Sequence, residues 1–226
     1  MEIRHQRFCS LLLLLTLFVA TWQPAFPFFP PAEEAGGPRK LTFSRTLKGS
    51  VPEYILITVD SNGSGTYEGR KLDDPPNPRP IQLSPATTRR LFDLCGELNN
   101  FHSLDLESHK KVANLGLKTM TYQGGGQVNR VEFNFTQNRV AQELADLFER
   151  IVSVGHHISS LEYAIKYDPL GLPRELLQIQ IDFQNNALAD PELMVPTLEK
   201  IARNPRFLHL AQVRAQDILR HLQVSN

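Results

Sequence analysis

Apolar and polar residues alternate along residues 51–69, which read VPEYILITVDSNGSGTYEG. Alternation with a period of two predicts strands that have one buried face. A three-residue turn at residues 61–63 pairs Ile57 with Tyr67, whereas a two-residue turn would place Glu68 opposite Ile57 on the apolar face. The pattern therefore predicts a β-hairpin with a bulged turn, in which Gly63 is left-handed.

Similar patterns continue as far as residue 154. A strand is predicted at LTFSRTL, and a second hairpin is predicted around the GGG turn at residues 124–126. One helix is predicted at about residues 85–98 with Ser84 as its N-cap, and another where apolar residues recur between Val140 and Ile151. Residues 40–154 are therefore predicted to form an α+β domain, a mainly antiparallel sheet of hairpins packed with two helices.

The pattern changes after Gly155, where no strand is required. The segment LLQIQIDF can be read as a strand, but its apolar residues also fit one side of a helix, and helix is favoured. Asp190-Pro191 and Asn204-Pro205 predict two further helix starts, because each pairs a capping residue with a proline. Residues 155–226 are predicted to be an all-α C-terminal extension of three to four short helices.

The first 25 residues have the layout of a secretory signal, with Arg4 and Arg7 preceding the apolar run LLLLLTLFVA. The residues that follow form no clean cleavage site, so a cleaved signal peptide and an uncleaved membrane anchor both remain open. Residues 26–39 are rich in proline and glycine and are predicted to be an extended spacer. We expect an exported chain that is periplasmic, extracellular or anchored facing outside.

The balance of charge argues against a nucleic-acid-binding protein, because 24 basic residues are matched by 24 acidic ones. The glycine-rich turns lack the sequences that cradle phosphate groups, and the histidines lack metal-ligand spacing, so no cofactor or metal is expected. Cys95 is the one cysteine that follows the predicted signal, and it falls on the apolar stripe of its helix. A buried structural thiol is the favoured interpretation.

Histidine chemistry supplies the alternative function. A small hydrolase of the cell envelope would need a serine or a carboxylate within hydrogen-bonding distance of His102, His109, His156 or His157, inside a concave site. No nucleophile motif accompanies these residues. The question of enzymatic activity is left open, with a non-catalytic role favoured.

The stretch from Arg45 to Gly69 resembles an uncharacterised family of exported bacterial domains of unknown function. The marker of that family is an arginine, then a Cys-x-Gly-x-Cys-Pro-x-Tyr segment, an Asp-Gly turn and a Tyr-x-Gly. Residues at matching places in this chain are Arg45, Gly49, Pro52, Tyr54, Gly63, Tyr67 and Gly69. Val51 replaces the second cysteine and the first is missing, so no role of those cysteines is carried over.

The resemblance covers about residues 40–154 and implies an α+β domain outside the cytoplasm, without a known activity. We expect a non-catalytic binding or scaffolding module of the bacterial cell envelope that recognises an unknown envelope protein or ligand. Its N-terminal apolar segment would be a possible membrane tether. The candidate recognition or family-motif residues are Arg45, Pro52, Tyr54, Gly63, Tyr67 and Gly69.

Overall fold

A computed structural model describes residues 37–224, and the predicted strands and helices occur in it in order, together with a further short strand at Arg79–Gln82. The strands are β1 (Lys40–Thr46), β2 (Tyr54–Asp60), β3 (Ser64–Arg70), β4 (Arg79–Gln82), β5 (Leu117–Gly124) and β6 (Gln127–Phe133). The α-helices are α1 (Pro85–Glu97), α2 (Arg139–Tyr167), α3 (Leu172–Gln184), α4 (Val195–Ala202) and α5 (His209–Val224). Two short 3-10 helices are formed by Asn99–Phe101 and Pro191–Met194.

The six strands form one antiparallel sheet with the order β4-β3-β2-β1-β5-β6. Ile57 lies opposite Tyr67, as the three-residue turn predicts. Gly63 has a φ of 84°, and its N–H donates to the carbonyl of Asp60 at 2.8 Å. An α+β fold with a helical C-terminal part is therefore confirmed.

One face of the sheet carries the first hydrophobic core, which α1 and α2 cover. The ring of Phe43 in β1 stacks on that of Phe148 in α2, with 4.8 Å between centroids. In α1 the predicted apolar stripe is buried, and Cys95 lies within it with no exposed surface. Burial of this apolar surface is the main force that holds both helices on the sheet.

A second core lies among α2, α3, α4 and α5. It includes Leu161, Leu176, Leu198 and Ala215, which are fully buried. The segment LLQIQIDF lies in α3, so the choice of helix is confirmed. The described residues, 37–224, belong to one compact unit that contains both cores.

Helix α2 belongs to both cores and does not end at Gly155, where the character of the sequence changes. Val152 packs in the sheet core and Val154 in the helical core. Gly155 faces the ring of Tyr67 so closely that a Cβ atom there would lie 2.7 Å from Tyr67 Cε1. The glycine therefore marks a close contact between helix and sheet and not a break in the helix.

The predicted helix start at Asn204-Pro205 is wrong, because α5 begins at His209. Asn204 instead forms a turn, in which its side-chain oxygen accepts from Arg206 N at 3.0 Å and its carbonyl accepts from Phe207 N at 3.2 Å. An asparagine side chain that bonds to the backbone two residues ahead can stabilise a turn as well as a helix start.

The carboxylate of Asp190 contacts α1, although the sequence predicts that it caps the helical turn that follows it. Its two oxygens accept from Ser84 N at 2.7 Å, Ser84 Oγ at 2.8 Å and Thr87 Oγ1 at 2.6 Å. Ser84 Oγ also accepts from Thr87 N at 3.2 Å, which confirms Ser84 as the N-cap. A negative charge at a helix N-terminus is favourable, so Asp190 joins the helical part to α1.

The predicted signal or anchor at residues 1–25 and most of the spacer at residues 26–39 lie outside the described residues. Between residues 37 and 224, no helix has the length and apolar character needed to cross a membrane.

The contact between Gly155 and Tyr67 predicts opposite effects for two glycine-to-alanine substitutions within helices. Gly155→Ala forces a methyl group against the Tyr67 ring and should lower the free energy of unfolding by about 1–3 kcal/mol. Gly96→Ala in α1 is the matched control, because a Cβ atom there has no neighbour within 4 Å. It should leave stability unchanged or raise it by up to about 1 kcal/mol. Equal destabilisation of both variants in urea unfolding would contradict this account.

Candidate functional site

A cleft of about 380 Å³ lies where the two cores meet. It opens between the β3–β4 edge of the sheet, α2 and α4. We call it the Tyr67 cleft, and the residues that define it are Tyr67, Ile81, Ile151, Ile158, Thr197 and Lys200. Its volume lies within the range of small-molecule pockets, about 300–1,000 Å³.

The apolar wall of the Tyr67 cleft comes from both sides of the molecule. Ile151 belongs to the sheet core, whereas Ile158 packs on the helical core, and Leu193 packs on both. Gly155 lies between these residues on α2 and places no side chain in the space beside Tyr67. The cleft is thus a product of the junction between sheet and helices.

The polar wall is formed by two residues of α4 that lie three positions apart and therefore on the same side of the helix. Thr197 is only 4% exposed, and its hydroxyl makes no hydrogen bond within residues 37–224. Lys200 is exposed at the rim and forms no ion pair in that part of the chain. Both side chains offer donors that the fold itself does not use.

A second charged group on the rim is already paired. Arg79 of β4 donates to Glu162 of α2 across the edge of the cleft. Because this pair is neutral as a whole, Lys200 gives the rim an excess positive charge. The cleft therefore combines apolar walls with one uncompensated cation.

Among the six sequence-predicted residues, Tyr67 is the one that lines this cleft. Burial raises the pKa of its hydroxyl to about 12. Gly69 provides the space for that hydroxyl, since a Cβ atom at Gly69 would lie 2.4 Å from Tyr67 Oη. The Tyr-x-Gly sequence is therefore explained by packing of the tyrosine along its own strand.

Arg45 lies at another place, at the end of the sheet beside α2. Its Nη1 donates to both carboxylate oxygens of Glu149, at 3.0 and 2.9 Å. Burial raises the pKa of Glu149, although Arg45 and Lys118 oppose that shift. The arrangement joins β1 to α2, which is a structural task.

The remaining sequence-predicted residues lie neither in the Tyr67 cleft nor beside the pair of Arg45 and Glu149. Tyr54 is on the outer face of the sheet, where the guanidinium of Arg70 lies 4.6 Å from its ring centroid. Pro52 follows a cis peptide bond in the loop before β2. Gly63 lies in the turn against α1, where a Cβ atom would be 2.7 Å from Thr88 Oγ1. The family-motif residues thus occupy several separate places.

Two of the four histidines contact a carboxylate, as the hydrolase alternative requires, but neither of these two lines the Tyr67 cleft. His157 is buried between α2 and α3, where its Nε2 lies 2.8 Å from Oδ2 of Asp182. His109 pairs with Asp105 at 2.9 Å, but both side chains are more than 70% exposed. Within residues 37–224, no serine or cysteine is hydrogen-bonded to either histidine.

His102 is exposed, and His156 is half-buried, with a pKa that burial lowers. The described residues contain no group of three or more histidine, cysteine, aspartate or glutamate side chains that could hold a metal ion.

Sequence reasoning missed the residues of α2 and α4 that form the cleft. A glycine within a helical apolar pattern, in VSVGHHI, is a signal of close helix packing that could have pointed to the α2 wall. No comparable signal identifies Thr197 and Lys200, because a threonine and a lysine on a short helix are ordinary surface residues in sequence.

Comparison with known proteins found no relative of this chain. The chain matches no protein-family model and no curated protein sequence.

The half-buried ion pair between Arg45 and Glu149 predicts that Arg45 matters for stability. Arg45→Met leaves the Glu149 carboxylate without its partner and should lower the free energy of unfolding by about 1–3 kcal/mol. Arg90→Met is the control, because Arg90 pairs with Glu143 on an exposed surface and should contribute little. The prediction fails if Arg45→Met unfolds at the wild-type urea concentration.

The burial of Cys95 predicts an inert thiol. Burial raises its pKa from 9.0 to about 12, so the folded protein should resist alkylation at pH 8 in a chain carrying Cys9→Ser. The contribution of the neutral thiol to stability is fully present below pH 9 and is lost as pH rises towards 12. Mass spectrometry should show labelling only in denaturant, and rapid labelling of the native chain would refute the prediction.

Proposed function

We propose that this protein is an exported, non-catalytic binding module of the bacterial cell envelope, and that the Tyr67 cleft is its ligand site. The observation that carries the proposal is the combination of preformed apolar walls with two donors, on Thr197 and Lys200, that have no partner in the described fold. A ligand that supplies both an apolar body and an acceptor would satisfy them.

Export is supported by the N-terminal sequence, where a charged start precedes an apolar run. The likeness of residues 40–154 to exported bacterial domains points the same way. An N-terminal tether would hold the module at the membrane surface, with the spacer of residues 26–39 between them.

A binding role also agrees with how the other polar groups are used. Glu149 is bonded to Arg45, Asp182 to His157, and Asp190 to Ser84. Each of these pairs joins two elements of the fold. A hydrolase would need some of these groups to face a substrate, so the binding role is the better supported of the two functions.

The proposal predicts a bound ligand that is lost when a substitution blocks the cleft and is retained when the same substitution is made elsewhere. The full chain is expressed in bacteria and purified from the envelope fraction, and bound small molecules are extracted and identified by mass spectrometry. Pro196→Trp should remove the bound species, because Pro196 is an exposed residue that lines the cleft and a tryptophan there blocks it. Pro205→Trp, at an exposed proline outside the cleft lining, is the matched control.

Two results would contradict the proposal. One is a chain that remains in the cytoplasm, which fractionation of the full chain beside one starting at Pro31 would reveal. The other is recovery of the same bound small molecules from the wild type, Pro196→Trp and Pro205→Trp.

A further inference from the structure

The Tyr67 cleft has one apolar and one donor-bearing wall, and this division restricts the chemistry of its ligand. We propose that the cleft binds an alkyl carboxylate, a small molecule with a hydrocarbon body and a single carboxylate at one end. This inference rests on the proposed function, because it names the ligand class of the same cleft.

The apolar wall selects the body of the ligand. The ring of Tyr67 and the side chains of Ile151 and Ile158 face the space, and Gly155 leaves it open between them. A hydrocarbon chain placed there is removed from water without requiring any hydrogen bond, and its affinity should grow with each methylene that is buried.

The polar wall selects the head group. The ammonium of Lys200 and the hydroxyl of Thr197 lie on the same side of α4, three residues apart. Lys200 can only donate, and the hydroxyl of Thr197, a residue that is 4% exposed, has no acceptor within the described residues. A carboxylate offers two acceptor oxygens and one negative charge, so it can accept from both groups at once.

The rim limits the charge of the ligand to one. Arg79 is engaged by Glu162, so its charge is compensated, and Lys200 alone supplies an unpaired positive charge. Arg79 and Glu162 both line the cleft, but as a neutral pair they supply no net positive charge that could balance a second negative charge on the ligand. A doubly charged phosphate monoester is therefore a poorer fit than a carboxylate.

The size of the cleft favours a small molecule over a polypeptide. A volume of about 380 Å³ is near the lower end of the small-molecule range. An α-helix with its side chains is about 10 Å or more in diameter, which is large for a space of this volume.

The test uses three probes that share a ten-carbon chain: decanoate, decyltrimethylammonium and decanol. Binding to the full chain is measured by calorimetry at monomeric probe concentrations. Folding of each variant is first confirmed by a cooperative thermal transition. We expect decanoate to bind at least tenfold more tightly than decyltrimethylammonium, and more tightly than decanol.

Matched variants assign the interaction to the cleft. Lys200→Glu should weaken decanoate binding at least tenfold, whereas Lys111→Glu, the same charge change at an exposed loop residue, should have no effect. Thr197→Val keeps the shape of the side chain, removes the hydroxyl and should weaken decanoate binding several-fold. Pro196→Trp should abolish binding of decanoate, and Pro205→Trp should not.

Each contrary result has a distinct meaning. Equal affinity for the three probes, with loss in Pro196→Trp, would overturn the carboxylate class and leave the cleft as a binding site. Undetectable decanoate binding to the folded wild type would overturn the ligand class as well, while the envelope extraction decides the binding function separately. Decanoate binding that survives both Pro196→Trp and Lys200→Glu would place the probe elsewhere and overturn the inference.

Discussion

The contact between Gly155 and the ring of Tyr67 is the constraint on which the rest of the structure depends. It holds the middle of α2 against β3. On the N-terminal side of Gly155, Phe148 of α2 stacks on Phe43 of β1. Beyond Gly155 the helix continues to Tyr167, about three more turns. The apolar side chains of those turns belong to the helical core with residues of α3, α4 and α5, whereas Glu162 on the same turns pairs with Arg79 of β4.

A helix shared by two cores leaves a gap at their junction unless other contacts close it. Here the segment before α4 is fixed at both ends. At one end Arg150 of α2 donates through Nη2 to Asn186 Oδ1 at 2.9 Å and to the carbonyl of Leu188 at 3.0 Å. At the other end Asp190 accepts from Ser84, the N-cap of α1. These bonds hold the segment that leads into α4. The Tyr67 cleft is the space that remains between the edge of the sheet, α2 and α4.

The conspicuous polar residues of the chain are used to build the fold, and this use decides where a site can be. Arg45, His157 and Asp190 each bond to a partner more than twenty residues away in sequence. Groups committed in this way hold separate elements of the fold together. Thr197 and Lys200 carry no such commitment, which is why an inconspicuous pair on a short helix forms the polar part of the candidate site.

Much of the fold followed from the sequence by itself, because strand alternation, turn register and helical stripes are set by neighbouring residues. The pairing of Ile57 with Tyr67, the burial of Cys95 and the helical state of LLQIQIDF are of this kind. The continuity of α2, the bond from Asp190 to Ser84 and the Tyr67 cleft were decided only by the tertiary structure. Their residues are distant in the chain, and local pattern carries no information on which surfaces meet when apolar faces pack.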